Sequence, residues 1–126
     1  MNSPKPLFDK LNDFSIVITP HKFSKEIEHL SRYGTYNVSF QIFKNDSIGI
    51  KCLNKWKQQC FVWCKDYVDA TTGLYADQKY LDTWTEEYPD KVKVLNDSCT
   101  GIAPWNLNRF KLSYFDNTFF SDNYNL

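Results

Sequence analysis

Apolar residues along this chain alternate between two spacings, one typical of strands and one typical of helices. Short β-rich runs recur at Phe14–Thr19, Tyr36–Phe43, Lys91–Leu95 and Phe110–Phe115. Segments with helical spacing lie between these runs. The alternation predicts an α/β fold with a mixed, partly parallel sheet and flanking helices. Because such sheets bind ligands at the carboxyl ends of their strands, the loops that follow the strands are the places to search for a site.

Helical segments are indicated by apolar residues three and four positions apart and by residues that favour helix ends. The longest is predicted from Ile48 to Val68, with an apolar stripe made of Cys52, Leu53, Trp56, Cys60, Trp63, Cys64 and Tyr67. The other predicted helices are a short one over residues 4–11 capped by Ser3, one from Ser24 to Arg32 closed by Gly34, and one from Gln78 to Tyr88 capped by Asp77 and stopped by Pro89.

The strand-like run Tyr36–Phe43 carries polar side chains at alternate positions. Successive side chains of a strand point to opposite faces of the sheet. One face is therefore expected to hold Tyr36, Val38, Phe40 and Ile42, and the other Asn37, Ser39, Gln41 and Phe43. A half-exposed strand explains these polar residues without any functional role.

The chain has 126 residues, the size of one ordinary domain, and no repeat, linker or low-complexity block divides it. We therefore expect a single domain over residues 1–126.

Lysine plus arginine equals aspartate plus glutamate at 15 each, and this balance argues against a nucleic-acid partner, whose phosphates need a basic surface. No apolar run is long enough to span a bilayer, and residues 1–6 lack the apolar core of a signal peptide, so a cytoplasmic protein is expected.

The cysteines predict reduced thiols with packing roles. Cys52, Cys60, Cys64 and Cys99 contain no CxxC pair, and the chain has two histidines, so a structural zinc site is not expected. Cys60 and Cys64 lie four residues apart on the predicted stripe and are assigned to the core. Cys99 lies in a loop without a histidine near it in sequence, which gives it no evident base for nucleophilic catalysis.

Common nucleotide-binding and hydrolase motifs are absent from the sequence. The four glycines, at positions 34, 49, 73 and 101, form no GxGxxG, no GxxxxGK[ST] and no GxSxG. His21 follows the first strand, where it is either a surface or capping residue or a ligand-binding group. His29 lies among charged residues of a predicted helix and is expected in solvent.

Two further segments have both a structural and a functional interpretation. Asp77 precedes a predicted helix, so it is either the N-cap of that helix or a group at a site. The loop from Asn96 to Asn106 ends in the pattern Gly-x-x-Pro-Trp, and Trp105 either anchors this loop to the core or lines a ligand site. These residues taken singly do not decide between the alternatives.

Taken in order, five stretches resemble bacterial nucleotide-diphospho-sugar glycosyltransferases of the A-type fold (GT-A), a group linked to lipopolysaccharide or capsule synthesis and similar in outline to glycosyltransferase family 8. The stretches are Ile18–Ser24, Tyr33–Val38, Phe43–Asp46, Asp77–Leu81 and Ala103–Asn106. The resemblance implies a partial GT-A fold. It also implies transfer of a sugar from a nucleotide-diphospho-sugar donor to a glycan or lipid-linked acceptor, in the cytoplasm or at the inner face of the membrane.

The same resemblance implies roles for particular residues. Asp77 and Gln78 match an Asp-Gln pair beside the sugar and the acceptor, where a carboxylate orients or deprotonates the acceptor hydroxyl and an amide stabilises charge at the anomeric centre. Asn37 matches an asparagine that contacts the donor sugar, and Ser39 stands where the family usually has glycine. The other substrate-binding positions that it implies are His21, Gly101, Trp105 and Asn106.

A divalent metal, Mn²⁺ or Mg²⁺, is implied as the Lewis acid that neutralises the donor diphosphate. Asp97 matches the position of a metal-binding histidine eight residues before Trp105, and carboxylate oxygens suit such hard cations. The Asp-x-Asp motif and the nucleoside-binding strands of the family would precede Met1. We therefore expect a fragment without transferase activity of its own, whose partner is the missing N-terminal half.

Two other interpretations stay open. The aromatic content of 17% also suits a stand-alone carbohydrate-binding or protein-interaction module without catalysis. Alternatively, the chain is a small α/β domain whose resemblance is accidental. Glycan binding that needs neither nucleotide nor metal would indicate the carbohydrate-binding module. A wide separation of Asn37, Asp77 and Trp105 would indicate that the resemblance is accidental.

Overall fold

The computed structural model describes residues 5–96, 100–115 and 118–123. Its central sheet has three strands in the order β2–β1–β3, formed by Ile16–Pro20 (β1), Tyr36–Phe43 (β2) and Val92–Val94 (β3). β1 runs antiparallel to β2 and parallel to β3. A separate antiparallel pair joins Phe110–Phe115 (β4) to Thr118–Asn123 (β5). The predicted α/β class with a mixed, partly parallel sheet is confirmed.

A bulge interrupts the pairing of β1 with β2. Val17 pairs with Ile42 and Thr19 pairs with Asn37, so a single β1 residue lies opposite four residues of β2, three more than in a regular ladder. The Thr19 hydroxyl donates a hydrogen bond to the Phe40 carbonyl at 3.2 Å within this irregular stretch. The bulge shortens the part of β2 that pairs regularly and brings Asn37 beside the end of β1.

The bulge also changes which side chains of β2 share a face. An odd number of extra residues moves the side chains that follow to the opposite side of the sheet. Phe43 consequently packs with Tyr36 and Val38 against one core cluster, while Ile42 packs against the other. The prediction that placed Ile42 with Tyr36 and Phe43 on the opposite face is therefore wrong.

Ser47–Val62 forms the longest described helix (α2), which begins one residue before its predicted start at Ile48. Asp46 is its N-cap, because its Oδ1 accepts hydrogen bonds from the N–H groups of Ile48 at 3.1 Å and Gly49 at 2.8 Å. The helix ends at Val62 because Trp63 adopts an extended conformation, with φ −150° and ψ 124°. The predicted continuation to Val68 is wrong.

Packing explains this early end. In α2 the buried residues are Gly49 and Cys52, and beyond Trp56, which packs against the core cluster, the side chains of the helix are half-buried or exposed. Burial, together with the neighbouring Cys64 and Asp77, raises the pKa of the Cys60 thiol to about 11. Cys64 itself is exposed, so its predicted place in the core is wrong.

The remaining helices are short. Lys5–Lys10 (α1) forms as predicted, although Ser3, its predicted cap, lies outside the described residues. Lys25–Tyr33 and Gln78–Thr83 are 3₁₀ helices, and the second leads into Trp84–Glu87 (α3). Neither of the predicted caps, Ser24 and Asp77, makes a capping hydrogen bond through its side chain. Across the part of the chain that the structure describes, no helix is both long and apolar enough to cross a membrane.

The core lies on both faces of β1. On one face Ile16 and Ile18 pack with Cys52, Leu81 and Trp84. On the other face Leu11, Val17 and Leu95 form a smaller cluster. Because every residue of β1 before Pro20 is buried, this strand fixes the position of the groups that follow it.

Candidate functional site

His21 lies at the carboxyl end of β1, on the edge of the sheet where the parallel strand β3 also ends. Its backbone N–H extends the strand pairing by donating to the Thr35 carbonyl at 3.0 Å. The imidazole stacks on Phe23, with ring centroids 4.6 Å apart, and meets the Trp105 ring at 5.6 Å. The side chain is buried in this aromatic cluster, so the structure does not support a purely surface role for His21.

The surroundings of His21 favour a neutral ring. Burial lowers the pKa of His21 below its ordinary value of 6.5, although the carbonyls of Thr35 and Gly34 and the charge of Asp82 oppose this effect. Nδ1 lies 3.3 Å from the Thr35 carbonyl, which can only accept a hydrogen bond, so Nδ1 carries the proton. Nε2 of the neutral ring is then an acceptor.

Trp105 and Asn106 hold the segment 100–109, which is far from His21 in sequence, against that residue. The Trp105 indole N–H and the Asn106 amide both donate to the His21 carbonyl, at 3.0 Å and 2.7 Å. The Asn106 amide also donates to the Gly101 carbonyl at 2.7 Å and accepts from the Ala103 N–H at 2.8 Å. Asn106 is fully buried, with 0% of its surface exposed. The polar groups of both side chains are thus engaged inside the protein, as the anchor interpretation of Trp105 requires.

Gly101 brings this loop into close contact with the end of β1. Its φ of +72° is a conformation that favours glycine, and a Cβ atom there would lie 2.8 Å from Cγ2 of Thr19. Both observations require glycine at position 101. The turn therefore has a structural cause, and it places the loop directly over the end of β1.

Asn37 lies on the same side of the sheet edge, opposite Thr19 across the strand pair. Its side chain is buried, and its Oδ1 accepts a hydrogen bond from the Ser39 N–H at 2.7 Å. That bond uses the carbonyl of the amide, so Nδ2 is the group that can donate to a ligand. The Ser39 side chain is exposed.

Asp77 and Gln78 point to different neighbours. Gln78 packs over Gly34, and its Nε2 donates to the Tyr33 carbonyl at 3.1 Å, which connects it to the segment that contacts His21. The Asp77 backbone carbonyl accepts the indole N–H of Trp56 at 2.9 Å, so this residue lies against α2. His21, Asn37, Gly101, Trp105 and Asn106 are thus brought together, Gln78 borders them, and Asp77 faces the helix side.

Two cationic residues of the cluster were not singled out from the sequence. The Lys22 ammonium donates to the Thr100 carbonyl at 2.9 Å, and the Arg109 guanidinium donates to the Phe23 carbonyl at 3.2 Å. Both place positive charge at the edge of the loop that Trp105 anchors. Single basic residues without a spacing pattern carry no sequence signal, so only their position in the fold reveals them.

The described residues do not form a metal site. Among residues 5–96, 100–115 and 118–123, no three histidine, cysteine, aspartate or glutamate side chains come close enough to hold a cation. Asp97, the predicted metal ligand, lies outside the described residues, as does Cys99. The oxygen and nitrogen groups around His21 are amides, carbonyls, a neutral imidazole and the carboxylate of Asp82, which accepts from the Thr35 N–H and pairs with Lys79. This set does not by itself fit Mn²⁺ or Mg²⁺.

Comparison with known proteins identifies two relatives from Bacillus subtilis (strain 168). The uncharacterized protein YfnF is 31% identical over 120 residues, which cover 90% of this chain and 39% of YfnF. The uncharacterized protein YfnD is 25% identical over 122 residues, which cover 96% of this chain and 39% of YfnD. The chain thus spans about two fifths of the length of these relatives. No family model and no solved structure matches it.

Proposed function

We propose that this chain is the acceptor-side part of a bacterial glycosyltransferase that uses a nucleotide-diphospho-sugar donor and has a GT-A fold when complete. The observation that carries the proposal is the convergence of His21, Asn37, Gly101, Trp105 and Asn106 at the carboxyl ends of β1 and β3. The family resemblance had implied a substrate-binding role for each of these residues. α/β sheets bind ligands at this edge, which supports a site there.

Some groups of the proposed site bind the sugar, and others hold the binding groups in position. Nε2 of His21 and Nδ2 of Asn37 are an acceptor and a donor suited to sugar hydroxyls, and the half-buried Trp105 ring offers an apolar surface for a sugar face. Asn106 and Gly101 are positioning residues, because their polar groups and backbone hold Trp105 and His21 in place.

Asp77 is the proposed group for the acceptor hydroxyl. Its carboxylate orients that hydroxyl and accepts its proton as the oxygen bonds to the anomeric carbon, while the bond from that carbon to the diphosphate oxygen breaks and the nucleoside diphosphate leaves. Gln78 is then a positioning residue, since its amide supports the Tyr33–Thr35 turn that contacts His21. The acceptor would lie between the sheet edge and the α2 side, where Asp77 is found.

The rest of the machinery belongs, in this proposal, to a longer protein. The relatives are more than twice as long as the aligned segment, which supports the view that further residues complete the site. No step described above is assigned to a divalent cation, because the described residues do not provide its ligands. The proposed setting is synthesis of a bacterial surface polysaccharide.

Nuclear magnetic resonance of the four tryptophan indole N–H groups tests the proposal. Nucleotide-diphospho-sugars added with Mg²⁺ should shift the Trp105 signal and leave those of Trp56 and Trp84, which lie in the core, unchanged. Asn37→Ala should weaken this binding about fivefold, the effect of one hydrogen bond. Asn54→Ala, on the exposed side of α2, is the matched control and should bind normally.

Three other results would each contradict a different part of the proposal. If free glycans shift Trp105 equally well without nucleotide or metal, the chain is a carbohydrate-binding module. If no donor shifts Trp105, or Asn37→Ala binds as well as the unmodified chain, the site is wrong. Robust release of nucleoside diphosphate by the 126-residue chain alone would contradict its being only part of the enzyme.

A further inference from the structure

Positive charge is concentrated on α2 although the chain as a whole is neutral. From position 47 to position 68 the sequence has four lysines and one acidic residue, Asp66, against 15 acidic residues in the whole chain. The three lysines within the helix, Lys51, Lys55 and Lys57, are all exposed. Lys55 pairs with Glu87, and Lys57 lies over the ring of Phe61, with its ammonium 5.9 Å from the ring centroid.

The same helix presents large apolar side chains to solvent. Phe61 is 75% exposed and Val62 is 86% exposed, while Ile50 and Leu53 are exposed to lesser extents. At 100° per residue, Ile50, Leu53, Lys57 and Phe61 fall on one stripe of the helix, away from the buried residue Cys52. Tyr67 and Val68 extend the exposed apolar surface into the following loop.

An apolar cavity opens beside Val62. It has a volume of about 490 Å³ and lies between the second half of α2, residues 69–74 of the loop and Tyr80. Trp63 and Leu74 line it, and Oε1 of Gln59, a lining residue, is buried without a hydrogen-bond partner. The Asp69 carboxylate at its rim accepts hydrogen bonds from Thr71 and Thr72, so its charge is engaged within its own loop.

These features favour a lipid surface over a protein partner. Lysine is depleted in the centre of protein–protein interfaces, yet here lysines alternate with exposed apolar residues. A helix with lysines beside Phe and Leu, followed by Trp and Tyr, suits the boundary between headgroups and acyl chains. We propose that α2 and the loop to Val68 dock on an anionic lipid bilayer, with Phe61 and Val62 inserted and the lysines at the headgroups. This inference does not depend on the proposed transferase activity, since it uses none of the residues around His21.

Sedimentation of the purified chain with lipid vesicles tests the proposal. The chain should bind vesicles of phosphatidylcholine with added phosphatidylglycerol, and binding should weaken with added salt. Lys51→Gln and Lys57→Gln should each weaken binding about fivefold. Lys25→Gln and Lys111→Gln remove the same charge from exposed positions outside α2 and should change it less than about twofold.

A double variant without the two apolar side chains separates insertion into the bilayer from general electrostatic attraction. Phe61→Ser with Val62→Ser leaves every lysine in place and should abolish both binding and the accompanying blue shift of tryptophan fluorescence. Equal binding by the two lysine sets, equal binding to phosphatidylcholine alone, or no vesicle binding overturns the proposal. So does a concentration-dependent dimer that the serine variant abolishes, because a second copy of the chain would then cover this face.

Discussion

Asn106 shows how one side chain can organise a site without touching a ligand. Its amide joins the backbone carbonyls of His21 and Gly101, and these two contacts span 85 and 5 residues of sequence. Because the Asn106 amide is fully buried, a shorter side chain would remove its hydrogen bonds to both carbonyls from the protein interior, although the His21 carbonyl would keep the bond from the Trp105 indole. The position of the Trp105 loop over β1 therefore depends on a residue type that has no distinctive sequence signal.

The lowered pKa of His21 predicts how the stability of the folded chain depends on pH. The pKa of His21 is lowered in the folded chain, mainly by burial, so the unfolded chain takes up a proton at higher pH than the folded chain. Stability is then fully present above the ordinary pKa of 6.5 and is lost as the pH falls through that value towards the folded pKa. Urea unfolding between about pH 7.5 and about pH 5.5 should show this loss.

The other histidine supplies the control for this experiment. His21→Gln should reduce the loss of stability over this pH range, because the titrating group is gone. His29→Gln changes an exposed residue and should keep the full loss. An identical pH response in all three proteins would show that His21 does not carry the effect.

At the scale of elements, the start of α2 is more tightly specified than its end. Asp46 caps the helix and also accepts a hydrogen bond from the Ser15 hydroxyl at 2.9 Å, which ties the helix to the beginning of β1. Gly49 lies so close to the preceding turn that a Cβ atom would be 2.2 Å from the Lys44 carbonyl oxygen. At the end of α2 the Tyr80 hydroxyl donates to the carbonyls of Gln59 at 3.3 Å and Trp63 at 2.9 Å, and the predicted apolar stripe continues past the sheet that would have covered it.

Replacement of Gly49 tests this close approach. Gly49→Ala should destabilise the protein by about 2 kcal/mol, because the overlap with backbone outweighs the higher helix propensity of alanine. Asn54→Ala, at an exposed position of the same helix, should stabilise it by up to about 0.6 kcal/mol. Chemical denaturation measures both, and stabilisation by Gly49→Ala would show that the turn gives way to the new methyl group.

At the scale of the molecule, one aromatic cluster joins the sheet to the helices. Trp84 is almost fully buried and meets Trp56 of α2 and Phe43 of β2 edge to face, with ring centroids 5.6 Å and 5.7 Å apart. It belongs to the same cluster as Ile16 and Ile18 of β1. The elements that carry the candidate site are therefore held by packing around a residue outside that site.

Truncation of Trp84 should affect the whole fold. Trp84→Ala should lower the free energy of unfolding by about 4 kcal/mol, a large part of the stability of an ordinary domain. Phe61→Ala removes an aromatic ring that is 75% exposed and should have little effect on unfolding. If both variants unfolded at the same denaturant concentration as the unmodified chain, the cluster would not be the centre of stability.

The local sequence pattern was enough to predict strands in which β-branched and aromatic residues recur at alternate positions. The bounds of β2 and β4 were predicted to the residue, and the parallel pairing of β1 with β3 agrees with the alternation of strands and helices. β-branched and aromatic residues favour strands through local sterics, and helix spacing is likewise local. The bulge in β2 was not predictable, because it depends on how β1 pairs across the sheet.

The sequence by itself therefore determined the α/β class, the order of its elements and the set of residues worth testing. Tertiary structure decided where α2 ends, which face each β2 side chain occupies, and that Trp105 reaches His21 across 84 residues of chain. The physical reason is that element type follows from contacts between near neighbours in sequence. Register, helix length and the grouping of polar side chains follow from packing between segments that are far apart in the chain.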